Sequence, residues 1–189
     1  EIDGARDVAV EFHSFSKTYN MTGWRIGWAA GGADAIAALA RVKSFVDTGQ
    51  FLAVQAAATA ALDAWESWVP GNVQAFRERR DALVDALNAG GIAAESPCAT
   101  MYLWVRVPGG ASESFARRAL MEQGVVIMPG AALGAGGEGF FRAALTQPPG
   151  RLREAAARIC SAQVEGDAIG SLGLSFFPGL AKQRAQFDP

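Results

Sequence analysis

Ser14-Phe-Ser-Lys-Thr-Tyr-Asn-Met-Thr-Gly-Trp-Arg-Ile-Gly27 is the stretch that decides how this chain is read. Lys17 stands between two small hydroxyl residues, Ser16 and Thr18, and Arg25 follows it by eight positions. A lysine acts as a Schiff-base nucleophile only when its amine can be neutral, which a dry or cationic setting favours. Arg25 helps to supply that setting. Its planar guanidinium also suits a phosphate, and the Ser14 hydroxyl can donate a further hydrogen bond to the same group.

The flanking residues say where this motif sits. Val8-Ala-Val-Glu-Phe-His13 is mostly apolar and reads as a buried strand, and Arg25-Ile-Gly-Trp-Ala-Ala30 reads as another. The lysine is therefore expected on a loop held between two strands, with Gly23 and Gly27 giving turn freedom or close backbone approach.

The stretch resembles the cofactor-lysine signature of the class I/II aminotransferases, which are pyridoxal-phosphate enzymes of fold type I. Every position of Ser-x-Ser-Lys-x-x-Asn-Met-x-Gly-x-Arg-Ile-Gly is filled, at Ser14, Ser16, Lys17, Asn20, Met21, Gly23, Arg25, Ile26 and Gly27. The resemblance implies an α/β fold and pyridoxal 5'-phosphate as cofactor. It makes Lys17 the catalytic residue, with Ser14, Ser16, Lys17 and Arg25 as the cofactor-binding set.

A second block carries chemistry. Met128-Pro-Gly-Ala-Ala-Leu-Gly134 and Gly136-Gly-Glu-Gly-Phe-Phe-Arg142-Ala-Ala-Leu-Thr146 combine a mobile or tightly turned glycine loop with a strand that fixes Arg142. In the family it resembles, the matching arginine binds the substrate's α-carboxylate. Arginine suits that task because its fork takes both carboxylate oxygens and orients the amino group.

Between and beyond the two blocks the periodicity assigns the remaining elements. Residues 33–46 carry Ile36, Leu39, Ala40, Val42 and Val46 near helical spacing, and Asp47-Thr-Gly-Gln50 breaks the helix. The family resemblance puts that break near a dimer interface, making Thr48 and Gln50 contacts to a neighbouring subunit's cofactor phosphate. An ordinary helix-capping turn explains them equally well. Alanine-rich residues 51–65 suit a helix buried on most sides, and Pro70 can open another that runs to Ala89. Arg77, Arg79 and Arg80 on it read as a solvated face.

Ala99 to Val107 reads as a strand whose Tyr102 and Trp104 belong to core or interface. Ser112 starts a helix that Gly124 stops, Val125 to Met128 forms a short strand, and residues 147–159 form a turn and a last helix. The expected organisation is residues 1–90 as the C-terminal part of a large cofactor-binding domain with connecting helices, 91–160 as a small α+β domain, and 161–189 as an irregular extension.

Composition limits the alternatives. In 189 residues, half are apolar and the formal charge is −2, so a soluble globular chain is expected, with no basic run for nucleic acid and no apolar stretch for a membrane span. Two cysteines, Cys98 and Cys160, are too few for a disulfide framework and read as buried thiols in a cytoplasmic protein. His13, the single histidine, reads as a packed strand residue. No metal site is expected.

The first residue is Glu1, and the resemblance starts about midway through the family's sequence. It implies that the aspartate pairing with the pyridinium nitrogen, the contacts to the phenolic oxygen and the stacking aromatic belong to a preceding half. The chain alone is therefore expected to have little or no transaminase activity. The residues around Lys17, with Val42-Lys-Ser-Phe-Val-Asp-Thr-Gly49 and Ser96-Pro-Cys-Ala-Thr-Met-Tyr-Leu-Trp104, narrow the likeness to the bacterial LL-diaminopimelate aminotransferases. That likeness implies amino-acid and 2-oxo-acid substrates and a homodimer. Another aminotransferase of the class, a lyase of the same fold, and a non-catalytic remnant are the competing readings.

Overall fold

The computed structural model describes residues 2–161. The expected extension, from residue 162 onward, lies outside the described residues. The described residues divide into two compact units, 2–77 and 78–161, and the division falls inside one long helix.

The first unit opens with the single turn Ala5–Val8 (α1) and is built on an antiparallel pair, Val10–Ser14 (β1) with Gly27–Gly31 (β2). Phe15–Thr18 (α2) and a 3-10 turn at Thr22–Trp24 fill the connection. The strands are not buried as their apolar residues suggested: Phe12 is 72 % exposed, and Trp28 is also exposed. Nor is His13 packed. It stacks on Trp28 with ring centroids 4.1 Å apart and its Nε2 donates to Glu11 Oε2 at 3.1 Å, all on an exposed face.

Ala33–Val46 (α3) matches the helix expected from its spacing. Its end is a capping turn: the Asp47 carboxylate accepts from Lys43 Nζ and from the Gly49 backbone N–H, which holds its pKa below the ordinary value. Leu52–Asp63 (α4) is helical as expected but not buried on most sides. Ala58 alone is fully buried on it, while Leu52 and Leu62 are exposed, because only one face meets the unit's small core of Phe15, Met21 and Ala58.

The long helix Trp65–Ala89 (α5) starts five residues before the expected opening at Pro70. Proline inside a helix forfeits one backbone hydrogen bond and is usually disfavoured. Here it falls at the sixth helical position, after the Ala64 carbonyl has accepted the Ser67 and Trp68 amides and closed the first turn.

The second unit is a three-stranded antiparallel sheet in the order Tyr102–Arg106 (β3), Phe140–Ala144 (β5), Met128–Pro129 (β4). Leu103, Val105, Phe141 and Ala143 alternate onto one face, where they pack with Phe115 and Ala119 of Ser112–Met121 (α6) and with Leu152, Ala156 and Ile159 of Pro149–Ser161 (α7). Period-two alternation places Tyr102, Trp104, Arg106, Phe140 and Arg142 together on the opposite face. Tyr102 and Trp104 are therefore outside the core.

The strand expected at Val125 to Met128 is paired only at its end, where Met128 faces Arg142 and Pro129 faces Phe141. The arginines of α5 do more than face solvent. Arg79 donates to the Leu145 carbonyl at 3.5 Å, and Arg80 donates to Pro97 O at 3.2 Å while pairing with Asp81. Cys98 is exposed and Cys160 half-buried, so neither is the buried thiol expected. Among the described residues, no helix is long and apolar enough to cross a membrane, and no group of three or more His, Cys, Asp or Glu gathers as a metal centre would require.

Candidate active-site segments

Lys17 does not sit on an open loop; it lies on the one-turn helix α2, exposed, immediately after β1. Ser14 caps that turn. Its Oγ accepts the Ser16 backbone N–H at 3.1 Å, which leaves the hydroxyl proton available to another acceptor. Phe15 and Met21, on either side of Lys17, are the two large side chains of the unit's core and pack with Tyr19, Ile26, Ala57 and Ala61. Burying the neighbours and exposing the lysine is what the sequence order Phe-Ser-Lys achieves on a single helical turn.

Arg25 closes the segment in an unusual backbone state, with φ 54° and ψ 51°, and its Nη1 donates to the Thr22 carbonyl at 2.9 Å. A non-glycine residue in this left-handed region carries local strain, which is most often kept where a side chain must be aimed. Gly27, two residues on, has no room for a side chain: a Cβ there would lie 2.5 Å from the His13 carbonyl. Gly23 differs from expectation, since a Cβ there would meet nothing within 4 Å.

Two residues that the sequence reading passed over hold this turn. Asn20, also at positive φ (55°), donates from Nδ2 to Asn72 Oδ1 at 3.2 Å, and Asn72 Nδ2 donates to the Thr18 carbonyl at 3.2 Å. Thr22 Oγ1 adds a bond to the Ser16 carbonyl at 2.9 Å. Asn20 was visible as a motif position. Asn72 had no local signal, being 52 residues away on α5.

The second unit carries Arg142 at the centre of β5, directly opposite Trp104 on β3 and Met128 on β4. Its guanidinium lies over the Tyr102 ring, 4.2 Å from the centroid. Arg142, Tyr102, Trp104, Thr100, Glu95, Ser96 and Pro97 line an open cavity of about 400 Å³. Thr100 on its wall has φ 84°, a strained state for a β-branched residue, and the expected strand from Ala99 is accordingly delayed to Tyr102.

The glycine loop before β5 is tightly turned. Gly130 and Gly137 approach so closely that a Cβ on either would be about 2.0 Å from the other's carbonyl oxygen. Glu138, at its end, accepts from the Ser112 backbone N–H at 2.8 Å, from Ser112 Oγ at 3.2 Å and from the Gly139 N–H at 3.1 Å. These bonds hold its carboxyl below the ordinary range. Ser112 does start α6 as expected, but the cap comes from Glu138, 26 residues away.

The lysine turn and the arginine strand both lie within a stretch shared with known proteins: the sequence pattern of "Aminotransferase class I and II" matches residues 3–159. The chain belongs to the class I and II aminotransferases. It is 52 % identical over 160 residues to an LL-diaminopimelate aminotransferase of Desulforudis audaxviator, a match covering 84 % of this chain and 41 % of that protein. Among solved structures, a Thermus thermophilus protein described as a probable N-succinyldiaminopimelate aminotransferase is similar with a TM-score of 0.79 and 40 % identity, over 85 % of this chain and 44 % of that one. A single mutant of Thermus thermophilus aspartate aminotransferase is similar with a TM-score of 0.76 and 30 % identity, over 84 % and 42 %.

This aminotransferase chain thus spans less than half the length of the relatives it matches, and its α/β architecture is that of the C-terminal part of the fold type I transferases. Pyridoxal phosphate is the cofactor of the family. The donor set around α2 fits such a group: an exposed primary amine, a capping hydroxyl with its proton free, and a guanidinium aimed by a strained backbone.

Proposed function

We propose that this chain is the C-terminal part of an enzyme that moves an amino group between LL-diaminopimelate and 2-oxoglutarate, with tetrahydrodipicolinate and glutamate as the other pair, in lysine biosynthesis. The observation that carries this reading is the complete lysine motif on α2 within a chain 52 % identical to an LL-diaminopimelate aminotransferase. Residues 1–90 then form the end of the cofactor-binding large domain and 91–160 the small domain. The exposed apolar residues Phe12, Trp24 and Trp28 suit faces covered by the rest of such a domain or by a second subunit of a cytoplasmic homodimer.

In this reading Lys17 Nζ would hold the cofactor's aldehyde carbon, Ser14 and Arg25 would hold its phosphate, and Ser16 would complete the cofactor-binding set. When bound, pyridoxal phosphate supplies an electron sink next to the substrate's α-carbon. Released when the substrate's amine takes its place, the Lys17 amine would take the proton from that carbon and return it, serving as general base and then general acid. Arg25, tied to the Thr22 carbonyl through one nitrogen, offers its remaining N–H groups to the phosphate. Arg142 takes the α-carboxylate in its fork and so orients the substrate's α-carbon.

The test is to incubate the purified chain with pyridoxal phosphate, reduce it with borohydride, digest it and locate the label by peptide mass. Label on Lys17 alone is expected; label scattered over Lys43 and the other amines would sink the assignment. The chain by itself should show no transaminase turnover. The full-length gene product, given LL-diaminopimelate and 2-oxoglutarate, should form glutamate. The likeness to aspartate aminotransferase supports a second reading, with aspartate as amino donor, which the same product separates by replacing one donor with the other.

A further inference from the structure

Four arginines of the second unit are held by acceptors. Arg80 pairs with Asp81 and the Pro97 carbonyl, Arg151 and Arg158 pair with Glu154, and Arg79 donates to the Leu145 carbonyl. Arg142 differs. Among the described residues its guanidinium has neither a carboxylate nor a carbonyl partner, and it lies over the face of Tyr102, 4.2 Å from Cζ to the ring centroid. An acceptor would hold this arginine by occupying the N–H groups that a carboxylate ligand needs. An aromatic face holds it without occupying any, because the attraction is to the ring's negative quadrupole rather than to a lone pair.

The sheet register makes the arrangement specific. Arg142 faces Trp104 directly, and Tyr102 is its diagonal neighbour, opposite Ala144. Ala144 leaves open the space over the Tyr102 ring, and the long arginine side chain reaches across into it. Trp104 is itself occupied by stacking on Phe140, with centroids 5.5 Å apart. The guanidinium is thus drawn to the cavity side of the sheet, where Tyr102, Trp104 and Thr100 form the wall. Arg106 lies over Phe140 at 4.8 Å on the same face but does not line the cavity, which makes it an internal control.

We infer that Tyr102 is a positioning residue: its ring holds the Arg142 guanidinium over the cavity with the N–H edge open for a carboxylate. The inference rests on the carboxylate role proposed for Arg142, but its first readout does not depend on any ligand. In the chain labelled with 15N-arginine, the Arg142 Hε resonance, assigned by its disappearance in Arg142→Lys, should carry a ring-current shift in the wild type and in Tyr102→Phe. In Tyr102→Leu that shift should vanish and Hε exchange should quicken by about three-fold, as expected for loss of one exposed cation–ring contact. The Arg106 resonance should stay in place in all three. Tyr102→Met provides the same test should the leucine variant fold poorly, as read from the amide resonances of Leu103 and Val105.

An unchanged Arg142 resonance and exchange rate in a folded ring-less variant would overturn the inference. Titration with glutarate, a simple dicarboxylate, gives the second readout. Binding should weaken by about three-fold in Tyr102→Leu and be retained in Tyr102→Phe. A wild-type Arg142 that is ring-shifted but indifferent to glutarate would count against the carboxylate role and not against the positioning by Tyr102.

Discussion

Replacing Asn72 with alanine should loosen the turn that carries Lys17 while leaving the second unit as it is. The side chain bridges two points of that turn, accepting from Asn20 and donating to the Thr18 carbonyl, each at 3.2 Å. A neutral hydrogen bond contributes about 0.5–1.5 kcal/mol net, and Asn72 is only half-buried, so the pair together contributes about 1.5 kcal/mol. Since about 1.4 kcal/mol is a factor of ten, the open population of the turn should rise about tenfold. The reporters are the backbone amides of Tyr19 and Asn20, which donate to the Phe15 and Lys17 carbonyls. Their hydrogen exchange should quicken about tenfold in Asn72→Ala. Asn72→Asp keeps the acceptor for Asn20 but loses the donor to Thr18, so it should fall between. Unchanged exchange at Tyr19 and Asn20 in a folded Asn72→Ala chain would refute the idea that this residue holds the turn.

Phe15→Ala should cost about 3 kcal/mol, the low end for a large aromatic because the partly buried side chains packed around it can relax; urea unfolding and borohydride labelling of Lys17 should both register it. Glu138→Gln should lower the melting temperature by weakening the cap on α6. In the wild type Glu138 titrates below its unfolded value of 4.5, so its contribution is complete above about pH 5. It should fade as the pH drops through the lowered folded value, and a melting series in acid that is no flatter for the variant would contradict this. Cys160, whose thiol burial pushes above 9.0, should react with iodoacetamide more slowly than exposed Cys98 at pH 8, as peptide mapping will show.

What could be read in advance followed from short-range pattern. The spacing of Ile36, Leu39, Ala40 and Val46 placed α3 at its observed limits, and the run Phe140 to Leu145 placed β5 within a residue. Exposure was less legible. Phe12, Trp28 and the alanine face of α4 look like core in a one-dimensional reading, but burial depends on what is laid against them, and apolar sequence alone does not supply that. Pro70 misled for a related reason: its cost is local, whereas the helix around it is fixed by the turn closed at Ala64 and the packing further along.

Lys17, Ser14, Ser16 and Arg25 in one block and Arg142 in another stood out because each lies in a local pattern that resembles the family's. Asn72 and Glu138 act across 52 and 26 residues, and no spacing rule reaches that far. The aromatic contact of Arg142 was hidden for a third reason. Tyr102 was read as core or interface from its strand, and only the pairing register shows that it shares the open face with Arg142.

The left-handed backbone at Arg25 has a consequence for how this site can evolve. Any side chain there bears a conformational cost of about 1–2 kcal/mol that glycine would not. Drift toward stability alone therefore favours losing the guanidinium, and its retention requires a selective return from what it binds. Arg25→Gly and Arg25→Ala remove the same charge but only the first relieves the strain. A homologue that carried glycine here would thus be a sign of relaxed selection on anion binding, written in the backbone before the lysine itself was lost.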